Sequence, residues 1–337
     1  MKRILPNRDI IRLTGPDMLH LLGRTVTHSV DNWQTGEMRY GALLTPQGKV
    51  IADYLAMLAL ENIYIDVHAD AADDLEKRLK MFRMRNDVAI DRLTEDVVTE
   101  GSWIDIRSPQ LPHRAITPVG VSGIEMPAQE WHAARIAAGV PEWGADYRGS
   151  EVFPTDINMD MMNGIDYKKG CFVGQEVASR MKRKGKIRKR TVKVTGDALE
   201  TGMDILADAP IGTVTSVAGS AGLALIRTDR LAKAEQDGKS FTCNGAAVTF
   251  ADPHSEQDAM NITSFERAYE WYTSGPRQRL QPGGSIVCVM TRWNTKDLTG
   301  MLIQHQKEAK SDQWDLVEFP AILPSGNPVW PQYWNTK

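Results

Sequence analysis

Apolar positions recur along the chain in three different patterns, and each predicts a different kind of element. Residues 50–60 and 63–68 are strand-like runs joined at Glu61-Asn62, which reads as a β-hairpin. Leu75, Leu79 and Phe82 then follow at i, i+4 and i+7, the spacing of an amphipathic helix whose polar face carries Asp73, Glu76 and Lys77. Short helices are expected at residues 17–22 and 128–138. Strands and helices do not alternate regularly around phosphate-loop glycines, so a doubly wound nucleotide fold is disfavoured and the class is α+β. From about Thr191 the pattern changes to short strands at residues 191–195, 212–217 and 223–227, separated by Gly-rich turns, which suits a small antiparallel barrel or sandwich. A third pattern starts near Asp252. Phe265, Ala268, Tyr269 and Tyr272 mark a helix, residues 286–290 a buried strand and residues 297–304 another helix, an α/β fragment. The expected organisation is 1–190, 191–250 and 252–337.

Composition narrows the class without naming a function. Hydrophobic residues at 42% and charged residues at 25% are ordinary globular usage, which excludes a disordered or collagen-like chain. No run approaches 18 apolar residues, and the basic start, residues 1–6, lacks the apolar centre of a signal peptide. A soluble, cytoplasmic protein without membrane contact is expected. A net charge of −3 gives no bulk attraction for polyanions. Cys171, Cys243 and Cys288 form no CxxC pair, and His68, His113, His132 and His254 are scattered, so neither a disulfide framework nor a metal site is expected. Met159, Met161 and Met162 read as packing residues. Five of the nine tryptophans lie after residue 270, which sets the last segment apart.

The most informative stretch runs from Lys168 to Arg190. Gly170 and Gly174 bracket Cys171-Phe172-Val173, which is what a loop needs to present one side chain at a defined place. Lys168 and Lys169, if they face the sulfur, favour thiolate, and Glu176 opposes them. A lone thiol serves as a nucleophile, a redox centre or one ligand to a cluster, but cannot hold a cluster that needs about four ligands. Between Arg180 and Arg190, eight of eleven residues are cationic, which reads either as an anion site or as a solvated connector. Aromatic residues do not interleave these charges, so sequence-specific nucleic-acid readout is not expected.

Lys169-Gly170-Cys171-Phe172-Val173-Gly174-Gln175-Glu176 resembles the K-G-C-[FYW]-x-G-Q-E signature of the YgfZ-type folate-binding proteins, relatives of the glycine-cleavage T-protein. Residues 39–49 (RYGALLTPQGK) resemble that family's early segment. Arg135-Ile136, Gly139-Val140-Pro141-Glu142 and Asp146 resemble the stretch before the cysteine loop, and residues 211–216 and 222–227 its carboxyl barrel. The likeness covers roughly residues 1–250. It implies a T-protein-like folate-binding body with a C-terminal antiparallel β-barrel, tetrahydrofolate as ligand, and a role in assembling or repairing iron–sulfur clusters in client enzymes, including tRNA-modifying ones. Cys171 is then the functional thiol, with Lys169, Gly170, Phe172, Gly174, Gln175 and Glu176 as motif partners. By analogy of position Asp146, Glu142 and Asp53 line the folate cavity, and Arg180 opens a basic stretch suited to an anionic glutamyl tail. Relatives of the T-protein include true aminomethyltransferases, so a one-carbon transferase is the alternative; the cysteine signature favours a non-catalytic assembly factor.

The last segment resembles something else. Residues 252–259 and 282–294, with Asp297-Leu298 and Gly300, are similar to the ATPase region of phage terminase large subunits, which implies a DNA-packaging motor as a third reading. A phosphate loop needs G-x-x-x-x-G-K-[ST], and Gly238-Lys239-Ser240 supplies only its end, with Lys233 at the first glycine position. Asp237-Gly238 reads instead as a turn between barrel strands, and Cys288 as a core residue.

Overall fold

The computed structural model describes residues 2–119, 123–183 and 187–250, together with residues 302, 303, 306, 314 and 315. The chain divides into two units, Met1–Pro253 and His254–Lys337, and the architecture below is that of the first. Apart from those five positions, the terminase-like α/β fragment and Cys288 lie outside the described residues.

The chain opens with β1 (Lys2–Ile4), β2 (Arg8–Thr14), α1 (Met18–Thr25), β3 (Met38–Leu44), β4 (Val50–Ala59), β5 (Asn62–His68), α2 (Ala69–Arg83) and β6 (Ala89–Leu93). It continues through β7 (Asp96–Trp103), β8 (Arg114–Pro118), β9 (Gly123–Glu125), α3 (Ala128–Ala137) and α4 (Gln175–Arg183). The remaining elements are β10 (Lys189–Thr195), β11 (Asp204–Leu206), β12 (Pro210–Ala218), β13 (Ala221–Arg227), α5 (Thr228–Gln236), β14 (Phe241–Cys243) and β15 (Ala246–Phe250).

The central sheet has the order β3-β4-β5-β2-β6 and is antiparallel throughout. Strand β4 is apolar along almost its whole length because both of its faces are covered. Ala52, Tyr54, Ala56 and Leu58 join the core beneath α1 and α2, with Leu21, Leu22, Leu75 and Leu79. Leu55 and Met57 point to the opposite core, with Val98 of β7, Trp131 of α3, Met159, Met162 and Phe172. The His68 ring accepts the Asp70 amide at 3.3 Å and so caps α2, and Lys80 and Arg83 in its last turn complement the helix dipole. A second sheet, β8-β7-β1-β9, is antiparallel except where β1 runs parallel to β9.

The expected barrel is closed, in the order β10-β13-β12-β11-β14-β15, with β15 returning to β10. Closure removes the exposed strand edges of a small sheet. Val192, Val194, Ile205, Val214, Ile226, Cys243 and Val248 fill its interior. One expectation is corrected here. Asp237-Gly238 does not join two strands; it ends helix α5, where Gly238 takes φ 65° and its amide donates to Glu235 O at 3.0 Å.

Candidate functional site

The cysteine loop is anchored on both sides of an exposed thiol. Cys171 is exposed, whereas its neighbour Phe172 is buried in the core beneath the central sheet. On the other side, Asp166 Oδ1 accepts the amides of Lys168 (2.7 Å) and Lys169 (3.2 Å), and the Asp166 amide donates to Thr27 O at 2.9 Å. The Lys169 ammonium donates to Val26 O at 2.7 Å and His28 O at 2.6 Å, and lies 5.3 Å from the Phe172 ring centroid. Burial pulls the Lys169 pKa down to about 8. Lys169 therefore spends its charge on holding the loop to the segment before β3, while Lys168 stays exposed. Glu176 pairs across one helical turn with Arg180 on the exposed face of α4.

The two glycines of the motif differ. Gly170 has open space around it and keeps a negative φ. Gly174 takes φ 80°, and a Cβ there would meet Thr45 O at 2.6 Å; Gly48, at φ 78°, would in turn strike Val177 Cβ at 2.9 Å. Only glycine fits either place. These contacts join the cysteine motif to residues 39–49, the two stretches singled out in the sequence. From Gly174 the chain enters α4, so Gln175 is its first residue.

Beside this loop lies a cavity of about 550 Å³, whose lining includes Asp166, Met38, Trp103 and Ile106, with Glu37 and Arg39 among its polar groups. That volume is in the range of small-molecule sites. The Arg39 guanidinium is held by Ser29 O (2.6 Å) and Asp31 O (3.0 Å). His28 also lines the cavity; its Nδ1 donates to Ser29 O at 2.8 Å, and burial pushes its pKa down to about 3, so the ring is neutral.

Asp146 and Glu142 do not line this cavity; they close an internal ion cluster. Arg135, fully buried on α3, donates to Asp146 Oδ2 at 2.5 Å and to Ser216 Oγ of β12 at 2.8 Å, and its Nε lies 3.2 Å from Glu142 Oε2. Asp146 also accepts the Glu142 amide (2.9 Å) and the Thr215 hydroxyl (2.6 Å). The cluster ties α3 to the barrel. Asp53 is likewise buried, accepting the hydroxyls of Tyr40 (3.0 Å) and Tyr147 (2.5 Å). Arg180 does not line the cavity either. Farther along the basic run, Lys182 lies 4.2 Å from the Tyr167 ring centroid and Arg190 is bound to Asp160 (2.9 Å) and Asn158 (3.2 Å), so these charges have structural partners.

Sequence reasoning missed Asp166, Thr27 and the cavity wall at Met38. Asp166 precedes Lys168 by two residues, an Asx-turn spacing that is a local signal. Among the described residues no group of three or more His, Cys, Asp or Glu side chains is arranged to hold a metal, and no helix is long and apolar enough to cross a membrane.

With this geometry in view, the comparisons fall into one pattern. Residues 188–257 match the family model of the CAF17 C-terminal beta-barrel domain. The chain is 28% identical over 225 residues to the iron-sulfur cluster assembly factor IBA57 homolog, mitochondrial, of Neurospora crassa, covering 55% of this chain and 51% of that protein. It is 25% identical over 283 residues to the mitochondrial iron-sulfur cluster assembly factor IBA57 of Mus musculus, covering 67% of this chain and 77% of that protein. The chain spans about half the length of the fungal relatives it matches. In fold it is similar to the glycine cleavage system aminomethyltransferase T of Bartonella henselae, with a TM-score of 0.62 at 12% identity over 75% of this chain and 85% of that one. The body is T-protein-like, followed by an antiparallel β-barrel.

Proposed function

We propose that this protein is an accessory factor for assembly or repair of iron–sulfur clusters in client proteins, acting in the cytoplasm through the Cys171 thiol and binding tetrahydrofolate. The observation that carries the reading is the exposed Cys171 between two anchors, the bonded Lys169 and the buried Phe172, which gives a thiol a fixed address at the surface. Its support is the likeness to proteins named as iron-sulfur cluster assembly factors. Chemically, one thiolate supplies one ligand to a cluster in transit, and the other ligands, about three, come from the client or carrier. The cluster is cargo. Clients include tRNA-modifying enzymes, as the YgfZ-type motif implies.

For tetrahydrofolate, the cavity beside the loop suits the ring half of the ligand. Met38, Trp103 and Ile106 offer apolar walls, and Glu37 and Asp166 offer acceptors for ring N–H groups. The anionic tail is less well matched there, since Arg39 is already held by two carbonyl oxygens. The shared residue Asp166 links ligand and thiol, because the carboxylate in the cavity wall also fixes the backbone of Lys168 and Lys169.

A T-protein-like fold favours one second reading, an aminomethyltransferase. Calorimetric titration of tetrahydrofolate into the full chain tests the ligand: the expected result is saturable one-site binding, and a folded protein that gives none overturns it. Formation of methylene-tetrahydrofolate from an aminomethyl donor would favour the transferase instead.

A further inference from the structure

Strand β3 is an edge of the central sheet, and part of that edge is left unpaired inside the protein. Near its end the edge is covered: the Thr27 amide donates to Ala42 O at 3.0 Å, and the Ala42 amide donates to Thr27 Oγ1 at 2.9 Å. The main-chain groups of Ala42 therefore point away from β4. Antiparallel pairing alternates, so Tyr40 and Met38, opposite Leu55 and Met57, direct their N–H and C=O groups to the same outer side. Among the described residues none of these four groups has a hydrogen-bond partner. Yet both residues are buried, and Met38 lines the cavity. A buried amide left unpaired is costly, so such an edge calls for water or a ligand.

We infer that the outer edge of β3 is the specificity element of the cavity, where the N–H and C=O of Met38 read a flat heterocycle carrying a donor and an acceptor side by side. A cyclic amide or amidine has that edge. In an extended residue the outward N–H and C=O lie next to each other and point the same way, so one ring edge meets both. Trp103 and Ile106 supply apolar surface for the faces of the ring, and Asp166 and Glu37 accept further ring N–H groups. The Asp166 carboxylate disfavours an anionic group at this end, while the Glu37 charge is paired with Arg39. The inference rests on the tetrahydrofolate reading and deepens it, because the aminopyrimidinone ring of that ligand, rather than its tail, is what the edge selects.

The test titrates tetrahydrofolate and pterin into the full chain and into Met38→Pro and Met38→Leu. Of the main-chain groups proline removes only the outward N–H, which lies outside the β3–β4 ladder, and edge strands tolerate it there. Because it also shortens the buried Met38 side chain, a ligand-side probe is read beside it. Met38→Pro is expected to weaken both ligands about tenfold, while Met38→Leu stays within about twofold. A ligand-side probe covers the chance that the proline variant misfolds: 3-methylpterin, its ring donor blocked, is expected to bind the unaltered protein about tenfold more weakly than pterin. Tetrahydrofolate binding that ignores the proline, together with pterin binding that ignores the methyl group, overturns the edge inference and leaves the folate reading standing. A folded protein that binds no tetrahydrofolate overturns both.

Discussion

Two polar regions of the body look alike in composition and behave as opposites. Around Arg135, a buried guanidinium donates to Asp146 and to the Ser216 hydroxyl, and Asp146 accepts the Thr215 hydroxyl. The guanidinium also pairs with Glu142, though its Nε, 3.2 Å from Glu142 Oε2, makes that ion pair without a hydrogen bond. Around β3 and the cysteine loop, the main-chain groups of Met38 and Tyr40 are open, the buried His28 Nε2 and Tyr54 hydroxyl have no partner among the described residues, and Cys171 faces solvent. The first region uses its polar groups to lock α3 onto the barrel. The second keeps some in reserve. A binding site is better recognised by unspent hydrogen-bonding capacity than by the presence of charge, because a buried charge is nearly always paired for structural reasons.

The comparison can be broken most sharply at Arg135. Arg135→Met leaves the buried Asp146 carboxylate without its cation and Glu142 with the more distant Arg8, 3.9 Å away. It should cost about 3–5 kcal/mol, measured by urea denaturation; a loss below about 1 kcal/mol would mean the cluster is not the lock described. In the open region the same measurement on Lys169→Met should show about 1.5–3 kcal/mol, with faster hydrogen exchange over residues 166–174. Exchange unchanged there would show that the loop does not depend on the bonds to Val26 and His28.

His28 sharpens the contrast through pH. Burial, aided by the nearby Lys169 and Arg39 charges, depresses its folded pKa to about 3, against about 6.5 for an unperturbed imidazole. Between those values the unfolded chain binds a proton that the folded protein excludes. Stability is therefore full above about pH 6.5 and falls as pH drops toward 3, by at most about 1.4 kcal/mol per pH unit. His28→Gln should flatten that part of the curve, and an unaltered slope would assign the proton elsewhere. The smallest effect belongs to the thiol: Cys171→Ser should shift stability by less than about 0.5 kcal/mol. Iodoacetamide should label Cys171 in the native protein and reach Cys243, sealed in the barrel interior, only on unfolding.

Much of the fold was legible in the sequence. The β4–β5 hairpin and helix α2 follow from period-2 and period-3.6 patterns that burial then enforces, Leu75 and Leu79 being fully buried. Helix α5 was missed because it is mostly polar and buries only Ala234, so no apolar stripe announces it. The cysteine motif was legible as a local string, but the contact of Gly174 with Gly48 was not, since nothing local encodes which distant turn a glycine must clear. Asp146 and Glu142 were expected in the ligand cavity for a similar reason. A carboxylate's letter does not say whether its partner is a ligand or an arginine eleven residues away. The open edge of β3 could not be read at all, because side-chain alternation reports the two faces of a strand and is silent about its edges.

The central claim is that the exposed Cys171 is the working group of a cluster-assembly factor. Its most direct test is maturation of an iron–sulfur client enzyme in cells that lack their own copy of this protein and carry either the unaltered chain or Cys171→Ser at equal levels. Client activity restored by the unaltered chain and not by Cys171→Ser is the predicted result. Equal restoration by both would contradict the account.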